Sequence, residues 1–125
     1  MTQSSDFIVR VQTRYLDDQV NVADDKFAFA YRVNIANIGK LPAQLLSRYW
    51  LITDGNGKAS EVQGDGVVGK QPVIKPGDSY TYTSGAVIET PVGTMQGYYE
   101  MEREDGERFR IPIDVFSLRV PNVIN

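Results

Sequence analysis

Gly64, Gly66 and Gly69 stand in the order G-x-G-x-x-G, with Lys70 directly behind them. In dinucleotide-binding folds this spacing cradles a pyrophosphate, because a strand leads in, a helix leads out, and the helix N-terminus offers unpaired N–H groups to the anion. Here the chain continues as Lys70-Gln71-Pro72-Val73-Ile74-Lys75-Pro76-Gly77. Its two prolines and Pro-Gly turn leave no room for a helix longer than about one turn. The ribose-binding acid expected about 20 residues further on has only Glu89 to fill the role, with no βαβ unit around it. A backbone-amide nest for an anion, running from Gly64 to Lys70 with the lysine's charge added, is what the pattern still permits. The competing reading is architectural: glycines that let a strand bulge or two backbones approach closely in an all-β fold.

Other chemistry is poorly served. The chain has neither histidine nor cysteine, which removes the commonest neutral-pH base, the soft metal ligands, thiolate nucleophiles and disulfides. No Ser-x-x-Lys supplies a lysine-activated nucleophile. Asp17, Asp18, Asp24 and Asp25 form two adjacent carboxylate pairs that suit a hard cation only if further loop oxygens converge, and no glycine-containing calcium-loop spacing is present. We therefore assign no catalytic residue, metal ligand or cofactor from the sequence. The tyrosines are the remaining resource, and Tyr49, Tyr98 and Tyr99 are read as flat amphipathic anchors of a partner surface.

These side chains must be carried by strands. Phe7, Val9 and Val11 alternate with Arg10 and Gln12, the period of a half-buried strand. From Lys26 to Asn37 the odd positions Phe27, Phe29, Tyr31, Val33 and Ile35 form one large apolar face, and the small residues opposite predict that the second face is partly covered too. Ala43 to Thr53 is a third strand, expected to pair with the second across the turn at Gly39-Lys40, and Trp50 on it reads as core. Asp54-Gly55-Asn56-Gly57 reverses the chain, as do Pro76-Gly77 and Glu104-Asp105-Gly106-Glu107. Ser84 to Gly93 fits either a short strand or an ordered loop. Thr94 to Glu102 places Met95, Tyr99 and Met101 on one face, with Gly97 marking a bulge. Arg108 and Arg110 then face the glutamates of that strand, and Phe116, Leu118 and Val120 make a last strand.

About seven to nine short strands and no helical periodicity predict an all-β, immunoglobulin/fibronectin type III-like antiparallel β-sandwich, with a closed barrel as the alternative. Its 125 residues suit one domain, 1–125, with 1–6 as a disordered N-terminus. The first residues lack a basic, apolar leader, and no apolar run approaches a membrane span, so a cytoplasmic protein without membrane insertion is expected. A net charge of −3 with interspersed charges argues against nucleic acid. Oligomeric state is left open.

Four segments taken together carry a family resemblance: Ser47-Arg48-Tyr49-Trp50-Leu51-Ile52-Thr53-Asp54, Glu61 through Gly69, Tyr82-Thr83-Ser84-Gly85, and Thr90 through Gly97. In this order they resemble the ApaG family, also called CorD, from about Phe7 to the end of the chain. The resemblance implies a fibronectin type III-like sandwich and a bacterial cytosolic protein associated with cobalt tolerance and magnesium efflux, without an established reaction. It also implies use as a protein-interaction module, since related domains are joined to F-box and polymerase-interacting proteins. Gly64, Gly66 and Gly69 correspond to the family's glycine motif, read as a pyrophosphate site. Lys70 stands where members often carry Glu, and Tyr98 and Asn125 where they often carry His, so a metal role resting on those imidazoles does not transfer. The expectation is a non-catalytic protein-interaction module with a protein partner, the alternative a phosphate, pyrophosphate or nucleotide-binding protein using Gly64, Gly66, Gly69 and Lys70.

Overall fold

One strand, β2 (Phe27–Asn37), sets the layering. Its alternation turns Phe29, Tyr31, Val33 and Ile35 into the core, where all four are buried. The computed structural model describes residues 4–17 and 26–121, among which there are eight strands and no α-helix. β1 (Phe7–Tyr15) and β6 (Ser79–Ile88) flank β2 in a three-stranded antiparallel sheet. The second sheet runs β4 (Ala59–Asp65), β3 (Ala43–Asp54), β7 (Val92–Glu102), β8 (Arg108–Arg119), with the two-residue β5 (Val73–Ile74) also on β3. No ladder joins the two sheets among the described residues, so the fold is the antiparallel sandwich and not the barrel. Among the described residues no helix is long and apolar enough to cross a membrane.

Aromatic rings fill the space between the layers. Trp50 on β3, 1% exposed, meets Tyr31 edge-on at 5.3 Å and Phe116 at 5.7 Å, contacts worth about 0.5–1.5 kcal/mol each beyond their buried area. Tyr82 and Tyr99 share a buried hydroxyl–hydroxyl hydrogen bond, and burial pushes both phenols well above the usual tyrosine range.

The structure corrects several expectations. β2 and β3 do not pair: residues 38–42 carry the chain from one sheet to the other, so the two strands meet face to face through Tyr31 and Trp50. The Asn37 side chain fixes that crossing, donating to the carbonyls of Leu41 at 2.8 Å and Ile74 at 2.9 Å while accepting from Gly39 N–H at 2.9 Å. β8 is one strand and not two, because a register irregularity opposite Met95 and Gly97 lets it bend without breaking. The outer face of β2 is partly covered, as expected: Ala28 is buried and Ala30, Asn34 and Ala36 are half-buried, while Arg32 is exposed. Within 1–6, Ser4–Asp6 is a 3-10 turn whose Asp6 carbonyl accepts Ile38 N–H at 2.8 Å. Ser84 to Ile88 belongs to β6.

Candidate functional site

Two regions of the five-stranded sheet hold the residues singled out in the sequence. The first is the glycine segment. At the end of β4, Gly64 pairs with Arg48 of β3, and a Cβ on Gly64 would stand 3.1–3.3 Å from the guanidinium. The missing side chain lets Arg48 lie across β4 and donate to the carbonyls of Asp65 at 3.1 Å and Gly66 at 3.0 Å. Gly66 N–H donates to Leu46 O at 2.7 Å. Leu46 lies at a register irregularity of β3, and its carbonyl also accepts from the Gln71 side chain at 2.9 Å.

Val67 is fully buried and anchors a tight turn, with Val67 N–H bonded to Lys70 O at 2.8 Å and Lys70 N–H to Val67 O at 3.0 Å. The two central residues, Val68 and Gly69, have φ of 49° and 77°, the paired positive values of a type I′ turn. Glycine accepts this conformation freely, whereas a β-branched valine is strained by it. The structure thus brings Gly64, Gly66, Gly69 and Lys70 together, yet three of the segment's amides serve the fold. Within the turn itself, the N–H groups of Val68 and Gly69, at the exposed tip, have no hydrogen-bond acceptor among the described residues.

The second region is the outer face of the same sheet. Tyr49 of β3 and Tyr98 of β7 are register partners, and their rings stack at 5.0 Å with planes 23° apart. Tyr49 OH donates to Glu61 Oε2 at 2.7 Å, and this bond to a carboxylate is the main cause raising the Tyr49 phenol above its ordinary value. The Arg110 guanidinium lies 4.2 Å from the Tyr98 ring centre while its Nε pairs with Glu100 at 3.1 Å. Arg108 pairs likewise with Glu102, as the alternation in both strands implies. The result is a flat, half-exposed aromatic plate held at one end by a carboxylate and at the other by a guanidinium.

Tyr99 does not join this plate. It is 0% exposed, because its register beside Met101 and opposite Arg48 turns it into the core, where its hydroxyl meets Tyr82. The sequence placed Arg110 opposite the glutamates of β7 but assigned neither it nor Arg48 to a site. The signal for Arg48 was its place as the one charged residue at an inward position of β3, between Leu45 and Trp50. Among the described residues no group of three acidic or other ligating side chains could hold a metal ion. Asp17 lies just beyond β1, and Asp18, Asp24, Asp25 and Asn125 fall outside the described residues.

Residues 17–103 match a family model described as the ApaG domain. A protein named Protein ApaG from Enterobacter sp. (strain 638) is 56% identical over 125 residues, covering 100% of both chains. One of the same name from Cronobacter sakazakii matches at 56% over 100% of both. A crystal structure of a Bordetella pertussis protein, named as an ApaA protein, superposes with a TM-score of 0.90 at 45% identity, over 94% of this chain and 96% of that one.

Proposed function

We infer, from the premise that the chain belongs to the ApaG family, that it is a non-catalytic sandwich that binds a protein partner on the outer face of its five-stranded sheet. The observation that carries this reading is the Tyr49–Tyr98 stack under Arg110. Tyrosine and arginine are the residue types that dominate binding energy at protein interfaces, and a pre-stacked pair loses little side-chain freedom when a partner covers it. The absence of histidine and cysteine supports the non-catalytic part. In this reading the protein acts in the cytoplasm, and any effect on cobalt tolerance or magnesium efflux passes through the partner, since the chain lacks imidazole and thiolate ligands for a soft metal. Tyr98→Ala is expected to weaken partner capture about 30-fold or more, the loss typical of an interface hot spot. Its half-exposed position should leave the denaturation midpoint nearly unchanged. Affinity capture with wild type and variant, quantified by mass spectrometry, tests this; equal recovery of every captured protein by both sinks it.

A second reading has its own observation. The turn strained at Val68, φ 49°, presents two unpaired N–H groups, of Val68 and Gly69, at an exposed tip beside Lys70, and backbone strain of this kind gathers at ligand-binding turns. In that reading the segment takes pyrophosphate or a nucleotide's phosphates. An amide chemical-shift titration with pyrophosphate should give saturable shifts centred on Val68 and Gly69, weakened by Lys70→Gln. Silence up to millimolar pyrophosphate leaves the glycines as architecture.

A further inference from the structure

The outer face of the three-stranded sheet has a charge of its own. Its outward positions are Ile8, Arg10, Gln12 and Arg14 on β1, register-matched to Ala36, Asn34, Arg32 and Ala30 on β2. These in turn face Ser79, Thr81, Thr83 and Gly85 on β6. The face carries three arginines and no carboxylate, in a chain of net charge −3. Arg10, Arg14 and Arg32 are all exposed, and none forms an ion pair among the described residues. By contrast, Arg108 and Arg110 on the other sheet's outer face are each paired with a glutamate. Hydrogen bonding adds to the bias. Asn34 Nδ2 donates to Ser79 Oγ at 3.2 Å and Thr81 Oγ1 at 2.7 Å, which leaves both hydroxyl hydrogens free to donate outward. At Ala30 the small side chain leaves a shallow depression lined also by Gln12, Thr13, Arg14, Arg32 and Thr83.

The spacing selects among anions. Arg10 and Arg14 are four residues apart on one strand, about 13 Å, and Arg32 stands level with Gln12 midway between them on the neighbouring strand. A cation therefore occurs at every second residue level, about 6.7 Å apart, which is the repeat of same-face side chains on an extended chain. We propose that this face binds an extended acidic segment of a protein partner, whose carboxylates at alternate residues meet Arg10, Arg32 and Arg14 in turn. The arginine forks suit carboxylates, and charge complementarity with an otherwise acidic molecule selects the segment. Single-stranded nucleic acid has a comparable repeat, but this face offers no aromatic side chain on which bases would stack. The surface lies on the opposite sheet from Tyr49 and Tyr98, so it stands independently of the reading above.

The test is an amide chemical-shift titration of the full chain with a blocked peptide in which three glutamates alternate with serines. A peptide of the same composition with contiguous glutamates, and an oligothymidylate, serve as the other arms. Saturable shifts along β1, β2 and β6 with the alternating peptide, weakened by salt, are expected. The triple variant Arg10→Gln, Arg14→Gln, Arg32→Gln should bind at least about tenfold more weakly, as loss of charge-assisted hydrogen bonds implies, with the amide spectrum of the five-stranded sheet unchanged. The proposal is overturned by silence at millimolar peptide, by equal binding of the contiguous peptide, or by tighter binding of the oligothymidylate. A concentration-dependent dimer in sedimentation that the triple variant abolishes would assign the face to self-association and overturn it as well.

Discussion

Gly97→Ala is expected to destabilise the protein by about 3 kcal/mol or more, a large part of the margin of a domain this size. Gly97 lies on β7 opposite Trp50, and a Cβ there would stand 1.8 Å from Tyr49 O, 2.9 Å from Tyr49 C and 3.1 Å from Trp50 Cα. All three are backbone atoms of a paired strand, so no rotamer change relieves the clash. β3 and β7 would have to separate, losing ladder hydrogen bonds and shifting both the buried indole and the Tyr49–Tyr98 stack on the opposite side. Gly57 provides the contrast. It has φ of 86° but nothing within 4 Å of its Cβ position, so Gly57→Ala should cost only left-handed backbone strain, about 1–2 kcal/mol. Urea denaturation of both variants measures the difference, and a Gly97→Ala protein as stable as Gly57→Ala would mean that the close approach is not what requires glycine.

That close approach marks where the sequence stops being informative. A glycine inside the β7 pattern suggests a bulge, and a register irregularity does occur there, but spacing along one strand cannot reveal that another backbone lies against it. The inward sets Phe29-Tyr31-Val33-Ile35 and Met95-Tyr99-Met101 were legible because a period of two leaves only one face for the core. The same alternation already separated Tyr98 from Tyr99, so placing both on a partner surface ignored a signal the strand supplied. The partner of β3 was not legible, because five residues after β2 can close a hairpin or cross between layers. Asn37, whose amide holds Leu41 and Ile74 carbonyls, decides it through a contact 37 residues away in the chain. The small residues opposite the β2 core face predicted partial cover, and Ala28 is buried there with Ala30, Asn34 and Ala36 half-buried, although nothing local in a strand counts the layers of a fold.

Arg103→Ala is expected to cost about 3 kcal/mol or more, since it removes a buried guanidinium together with its hydrogen bonds and its packing. Arg103 follows β7 directly, and its side chain is 5% exposed. Its Nη1 donates to the carbonyls of Leu41 at 2.8 Å and Pro42 at 3.1 Å, and its Nη2 pairs with Asp6 Oδ2 at 3.2 Å. The guanidinium also lies 5.0 Å from the Phe109 ring centre. One planar fork therefore ties the Ser4–Asp6 turn, the crossing between the sheets and the β7–β8 hairpin to each other. Alanine would leave a cavity against Phe109, strip Pro42 O of this donor and leave Asp6 without its cation, whereas Leu41 O would keep Asn37. Arg103→Lys should recover only part of the loss, because an ammonium cannot reach two carbonyls and a carboxylate in one plane. Asp6→Asn should cost less than about 1 kcal/mol, since Asp6 is a third exposed and water already screens its share of the pair. Denaturant midpoints for the three variants give the order Arg103→Ala, then Arg103→Lys, then Asp6→Asn. If Asp6→Asn proved as damaging as Arg103→Ala, the ion pair and not the grip on the crossing would be what the buried arginine contributes.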